Sequence, residues 1–287
     1  MITNGFTYVA VLLLLAAVLV TLEKNTGWKF FKFIPAVVLL YLLSMVLCTL
    51  GVWDMAETKP AYSALKNSMT YAMIFTMLLR CDIRKIIKLG PKLLDEVSTK
   101  LADDAKMNTK TITFQSMILL IGVALTVSAV GQNVGGFLKD TLPFLDKATW
   151  TVLFITVLGL VAAVSPLGKV AGSAEVSNLL LYTVIALLAS RASLLELADA
   201  SAWILTGFII LAIHAVLLLA CSKSFKLDMF TAAVASLANI GGTASAPVLA
   251  GSYAGSLVPV GILMALLGYV IGTPCGILVA NIMKMLA

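Results

Sequence analysis

The residues best placed to do chemistry lie in one stretch, 227–253, which reads LDMFTAAVASLANIGGTASAPVLAGSY. Its first part, 228–240, reads as a helix covering about 20 Å at 1.5 Å per residue, short of the roughly 30 Å hydrocarbon core of a bilayer. Gly241 and Gly242 then favour a break. Thr243 and Ser245 are residue types that cap a new helix, and Pro247 suits a first helical turn because its missing N–H loses no partner there. The pattern predicts a discontinuous helix near Gly241. Interrupted backbone at membrane depth is tolerated only beside protein or a water-filled cavity, so the break should line a site. The carbonyls ending at Ile240 would present about −0.5 charge to a cation, and the N–H groups near Ala246 about +0.5 to an anion. Ser236, Asn239, Thr243 and Ser245 add neutral ligands. The plainer alternative is a glycine kink that lets helices pack closely.

Two further groups carry polar chemistry. Glu175, Ser177 and Asn178 open an apolar run that continues through Tyr182, as a binding edge or as an ordinary interfacial cap. His214, the single histidine, sits inside FIILAIHAVLLLA. An ionisable residue at membrane depth is a functional candidate, here for a proton relay, against the plainer reading of a hydrogen bond to a neighbouring helix. Gly268, Gly272 and Gly276 recur every fourth residue and read as a close-packing face. Cys48, Cys81, Cys221 and Cys275 are far apart, without CxxC spacing, and read as small packing residues, so neither zinc nor redox work is indicated. HExxH and GxSxG are absent, which argues against an intramembrane enzyme. No resident cofactor is expected; Na⁺ is considered only as a coupling ion.

The elements that must position these residues are membrane helices. Of 287 residues 61% are hydrophobic and 12% charged, with mean hydropathy +1.04, whereas soluble domains carry about 25% charged residues. The runs do not alternate as barrel strands do. Nine spans are expected, at 8–22, 34–53, 68–79, 111–130, 149–164, 176–190, 203–221, 228–253 and 257–283. The first is a retained span, since no basic residue precedes it and no small-residue cleavage pattern follows. With the N-terminus outside and the C-terminus cytoplasmic, only Lys59, Lys66, Lys139, Lys147 and Arg191 of the 20 basic residues fall on the outer side. Those basic residues lie in short loops, so the net charge of +6 is a topology signal and not a nucleic-acid footprint. The polar segment 95–110 is a cytoplasmic linker between a first half, 1–94, and a second half, 111–287, that holds the discontinuous helix 228–253. Residues 71–89 and 180–198 end an apolar run with the same polar-then-apolar step, an internal similarity of the kind found in transporters with repeats.

The residues ANIGGTASAPVLAG (238–251) and LVPVGILMALLGYVIGTPCGIL (257–278) resemble the C-terminal end of the uncharacterised YjcL-like membrane family. That family is similar to the cation:proton antiporter and bile-acid:sodium symporter group. The match takes in EVSNLLLYTVIALLA, the AIH ending at His214, and MLLRCDIRKIIKLGPKLL (77–94). The resemblance implies inverted repeats with crossing discontinuous helices, and it places that role on Asn239, Gly241, Gly242 and Thr243. It also implies residence in the inner (plasma) membrane and a homodimer. One departure stands out: the family's Gly- and Ser-rich crossing segment of the first half is expected after Leu94, and 95–110 does not supply it.

The function these readings favour is ion-coupled transport, with Na⁺ or H⁺, of a small solute, an organic anion by preference because of the helix N-terminus. No carboxylate falls mid-span, since Asp54, Asp82, Glu175, Glu196 and Asp199 lie at or beyond span ends and Asp228 begins one, which disfavours carboxylate-driven proton exchange. The alternative is a membrane scaffold or sensor without transport.

Overall fold

In the computed structural model the described residues are 1–28, 30–79, 111–143, 146–195 and 201–253, with single positions between 257 and 279. The expected linker 95–110, the departure after Leu94 and most of the ninth span lie outside them. Among the described residues the helices longer than one turn are α1 (Gly5–Thr26), α2 (Ala36–Thr49), α3 (Lys59–Leu78), α4 (Phe114–Thr141), α5 (Lys147–Ala163), α6 (Ser173–Ala189), α7 (Ser201–Phe225) and α8 (Met229–Tyr253). Among the described residues the one bridge of strand type joins Ile2 to Trp53.

Local chemistry explains where helices start. The Asn4 side chain accepts the Thr7 N–H at 3.0 Å and Asp146 accepts that of Thr149 at 2.9 Å. Thr113 and Ser116 form a reciprocal capping box with both bonds at 3.1 Å. Gly27, at φ +59°, ends α1 in the left-handed conformation that a residue with a Cβ rarely adopts.

Among the described residues three helical stretches are long and apolar enough to cross a membrane: Gly5–Thr26, Phe114–Thr141 and Ile204–Phe225. Their outer surfaces are apolar too, with Leu14 64%, Phe208 66% and Val216 67% exposed, which suits lipid and not water as the surrounding solvent. The expected nine spans are thus matched in position by described helices for eight, but several of these are shorter apolar segments. The second is trimmed at both ends, by Pro35 before it and by the turn at Gly51 after it. The fourth runs beyond 130 to Thr141, because Gly131 and Gly135 serve helix packing and do not end the helix.

The expected break near Gly241 is corrected: α8 is one uninterrupted helix of 25 residues, about 37 Å long. The physical reason is that glycine costs a helix only about 1 kcal/mol, whereas each backbone group left unpaired in hydrocarbon costs several.

The chain divides into two compact units, neither a continuous half of the sequence. The first comprises Met1–Thr70 and Asn178–His214. Its core takes Tyr8, Leu12, Ala16 and Leu19 from one stripe of α1, Ala36, Leu40 and Cys48 from α2, then Trp53, Ala186 and Leu187. The second comprises Tyr71–Ser177 and Ala215–Ala287. In it α4 presents Leu120, Ala124, Ser128, Gly131 and Gly135 as a buried stripe, and residues 71–78 are buried on every side. Gly159 of α5 leaves room for Leu78, whose Cβ would lie 2.8 Å from an added methyl group.

Candidate functional site

Asp228 starts α8 by accepting the Thr231 N–H at 2.8 Å and its hydroxyl at 2.6 Å. From there Val234 and Ala250 are buried in one apolar cluster with Leu257, and Ala238 and Ala246 in another with Ala265. Gly268 comes close to α8 as well: a Cβ there would sit 3.7 Å from the Ala238 carbonyl oxygen, consistent with a packing role for Gly268. Gly272 and Gly276 have open space beside them.

The expected ligands fall on different sides of α8. Asn239, Ile240 and Gly241 are exposed, while Ser236 and Ser245 are partly buried. The burial of Gly242 and the side chain of Thr243 lie outside what the structure describes. Of these groups the structure brings together Gly241 and Ser245, one turn apart. A Cβ on Gly241 would fall 1.7 Å from Ser245 Oγ, so the glycine makes room for that hydroxyl. Ser245 Oγ is itself buried and, among the described residues, has no hydrogen-bond partner. Pro247, two residues further, has no N–H to offer the Thr243 carbonyl four residues back, so a second polar group in the same turn lacks its helical partner.

Asn178, exposed, and Tyr182, packed on the first unit's core, are neighbours one turn apart on α6. His214 is partly buried on α7 and has an interaction partner. These three belong to the first unit and Ser236 to Ser245 to the second. No group of three His, Cys, Asp or Glu side chains suited to a metal occurs among the described residues. Cys48 is buried, as expected of a packing cysteine, but Cys221 and Cys275 are exposed. A groove of about 350 Å³ runs along α4, lined by Ile118, Leu119, Gly122, Val123, Thr126 and Val127; none of the expected site residues lines it.

The sequence did not single out a further polar cluster. Arg191, just beyond α6, lies with its guanidinium carbon 4.8 Å from the Tyr62 ring centre and 5.6 Å from that of Tyr8. Its Nη1 donates to the Met55 carbonyl and its Nη2 to Thr58 Oγ1 at 3.0 Å. The Ser190 hydroxyl donates to the Leu187 carbonyl at 2.7 Å, so the Tyr8 hydroxyl bonded to it is the donor of that pair. Trp53 Nε1 donates to the Ser190 carbonyl at 3.0 Å, and its ring meets Tyr8 edge-on at 5.5 Å. The signal in the sequence was a lone arginine closing an apolar run, which topology alone explained.

The fold and these sites together point to an all-helical protein with apolar, membrane-suited surfaces and a few buried polar groups set within them. The chain belongs to the DUF819 family of proteins of unknown function, whose profile matches residues 10–97 and 94–286. The two matched segments overlap at residues 94–97. No curated protein and no solved structure matches the chain.

Proposed function

We propose that this chain is a multi-pass membrane transporter that moves a small solute, an organic anion by preference, by alternating access coupled to Na⁺ or H⁺. The setting is the inner (plasma) membrane that the family resemblance implies, with the N-terminus outside as the basic-residue distribution favours. The reading is carried by one observation: in an apolar helix, the buried Ser245 hydroxyl has no partner among the described residues and Pro247 withholds an N–H from the neighbouring Thr243 carbonyl. Unsatisfied buried polar groups are rare and call for an explanation, and a polar solute or ion that completes them is one.

Purified protein in proteoliposomes, given a panel of labelled small organic anions with imposed Na⁺ or pH gradients, tests it. Saturable uptake that requires one gradient and drops in Ser245→Ala supports the reading; uptake equal to empty vesicles for every anion and neutral solute overturns it. The uninterrupted course of α8 favours a second reading, a membrane scaffold or sensor, because it removes the opposed helix ends that would have held solute and ion. Ligand-dependent thermal stabilisation without flux would select that one.

A further inference from the structure

The Arg191 cluster is built from four stretches of the first unit and leaves one part of the guanidinium unserved. Nη1 and Nη2 have the Met55 carbonyl and Thr58 Oγ1, and the faces are turned to the rings of Tyr8 and Tyr62. Thr58 Oγ1 is also committed, donating to the Asp54 carbonyl at 2.5 Å. Nε is buried and has no acceptor among the described residues.

No carboxylate of the described residues in this unit pairs with the charge. Glu23 accepts from the Ala36 N–H at 2.9 Å near the far end of α1. Asp54 Oδ1 accepts from the N–H groups of Ala56 and Glu57 at 2.8 and 2.9 Å, and Glu57 is exposed. A partly buried cation held only by neutral groups sits in a field that favours an anion, and an arginine edge matches the geometry of an oxyanion. The Met55 side chain beside the guanidinium is movable: it is 39% exposed, and its Sδ lies 3.7 Å from Nη1.

We propose that Arg191 and its aromatic cage form an oxyanion site, taking a carboxylate or phosphate group on the Nε edge while the Met55 side chain swings aside. The site belongs to the first unit and does not depend on the transport reading, since it requires binding alone. Tyr8 and Tyr62 hold the guanidinium plane, Ser190 and Trp53 hold Tyr8, and Thr58 fixes the register of the edge that the anion meets.

Trp53, bonded to Ser190 and edge-on to Tyr8, is the internal reporter. In full-length protein with Trp28, Trp150 and Trp203 replaced by Phe, its emission is followed in detergent during titration with acetate and with inorganic phosphate. Ionic strength is held constant with chloride. A saturable change is expected, with Arg191→Gln raising the half-saturation about tenfold or more and Met55→Ala lowering it several-fold. Nanodiscs of phosphatidylcholine, with and without phosphatidylglycerol, separate the two sources of the same chemistry. A response to acetate that phosphatidylglycerol abolishes makes the ligand a lipid headgroup; one that persists makes it a free anion, and both support the site.

An emission trace no different from chloride, or a wild-type half-saturation retained in Arg191→Gln, overturns the proposal. Should Arg191→Gln fail to fold, an unchanged half-saturation in Met55→Ala overturns it. So does a wild type that stays silent while Glu196→Gln or Asp199→Asn responds, because an internal carboxylate would then be the partner of that edge.

Discussion

Replacing Gly135 by alanine tests the helix pairing that organises the second unit, and the structure supplies its magnitude. An added Cβ would lie 2.1 Å from Thr151 Oγ1, 2.9 Å from the Thr151 backbone nitrogen and 3.0 Å from the Lys147 carbonyl oxygen. The hydroxyl can rotate away, at the expense of its 2.8 Å bond to that same carbonyl, but the two backbone atoms cannot. Relief therefore requires α4 and α5 to separate. Overpacking of this kind costs about 1–3 kcal/mol, against about 1 kcal/mol gained because alanine is the better helix former. Gly122, on the same helix with nothing within 4 Å of the corresponding position, keeps the gain without the clash. Thermal unfolding of the two variants in one detergent, followed by helical circular dichroism, should place Gly122→Ala at or above wild type. Gly135→Ala should fall about 1–3 kcal/mol below Gly122→Ala. Thr151→Ala in the Gly135→Ala background should recover only part of the loss, since the backbone contacts remain. Equal stability of Gly135→Ala and Gly122→Ala would refute the close approach of α4 and α5.

Further outcomes follow from single contacts. Ser190→Ala should lower stability by about 1–3 kcal/mol by leaving the buried Tyr8 hydroxyl without its acceptor, and adding Tyr8→Phe should recover much of that loss in a double-mutant cycle read by the same unfolding assay. Thr113→Ala removes half of a capping box and should cost about 1 kcal/mol, with fraying at the start of α4 visible as faster amide exchange. Pro247→Ala returns an N–H to the Thr243 carbonyl and should stabilise α8, by up to about 3 kcal/mol, while reducing solute flux in proteoliposomes. Flux unchanged in that variant would separate the proline from the site.

Much of the helix framework was legible because long apolar runs and local caps are properties of neighbouring residues. Asn4, Thr113, Asp146 and Asp228 each stand immediately before a helix and accept the N–H three residues on, a cap chemistry written in neighbouring residues although the sequence reading used only Asp228 as a helix start. The course of α8 was misread because glycine and proline were weighed as they act in water. In an apolar setting the cost of unpaired backbone outweighs their modest penalties, and the helix continues through them. What remained from that reading is smaller: Gly241 beside the unpartnered Ser245 hydroxyl. Arg191 was invisible as a site for a different reason. Its partners Met55 and Thr58 stand 136 and 133 residues away and Tyr8 lies further still, so no spacing rule within one segment could have joined them. Composition spoke for lipid, but the division into Met1–Thr70 with Asn178–His214, and Tyr71–Ser177 with Ala215–Ala287, arises from tertiary packing that the order of spans does not display.

The central claim is that the polar turn around Ser245 meets a solute from the aqueous phase although it lies in an apolar helix. Ser245→Cys, in protein whose Cys48, Cys81, Cys221 and Cys275 are replaced by Ser, measures this through its reaction rate with a membrane-impermeant methanethiosulfonate reagent in intact vesicles. The account predicts measurable modification that a transported anion slows. A cysteine that never reacts from either face, while one at the exposed Asn239 does, would contradict it.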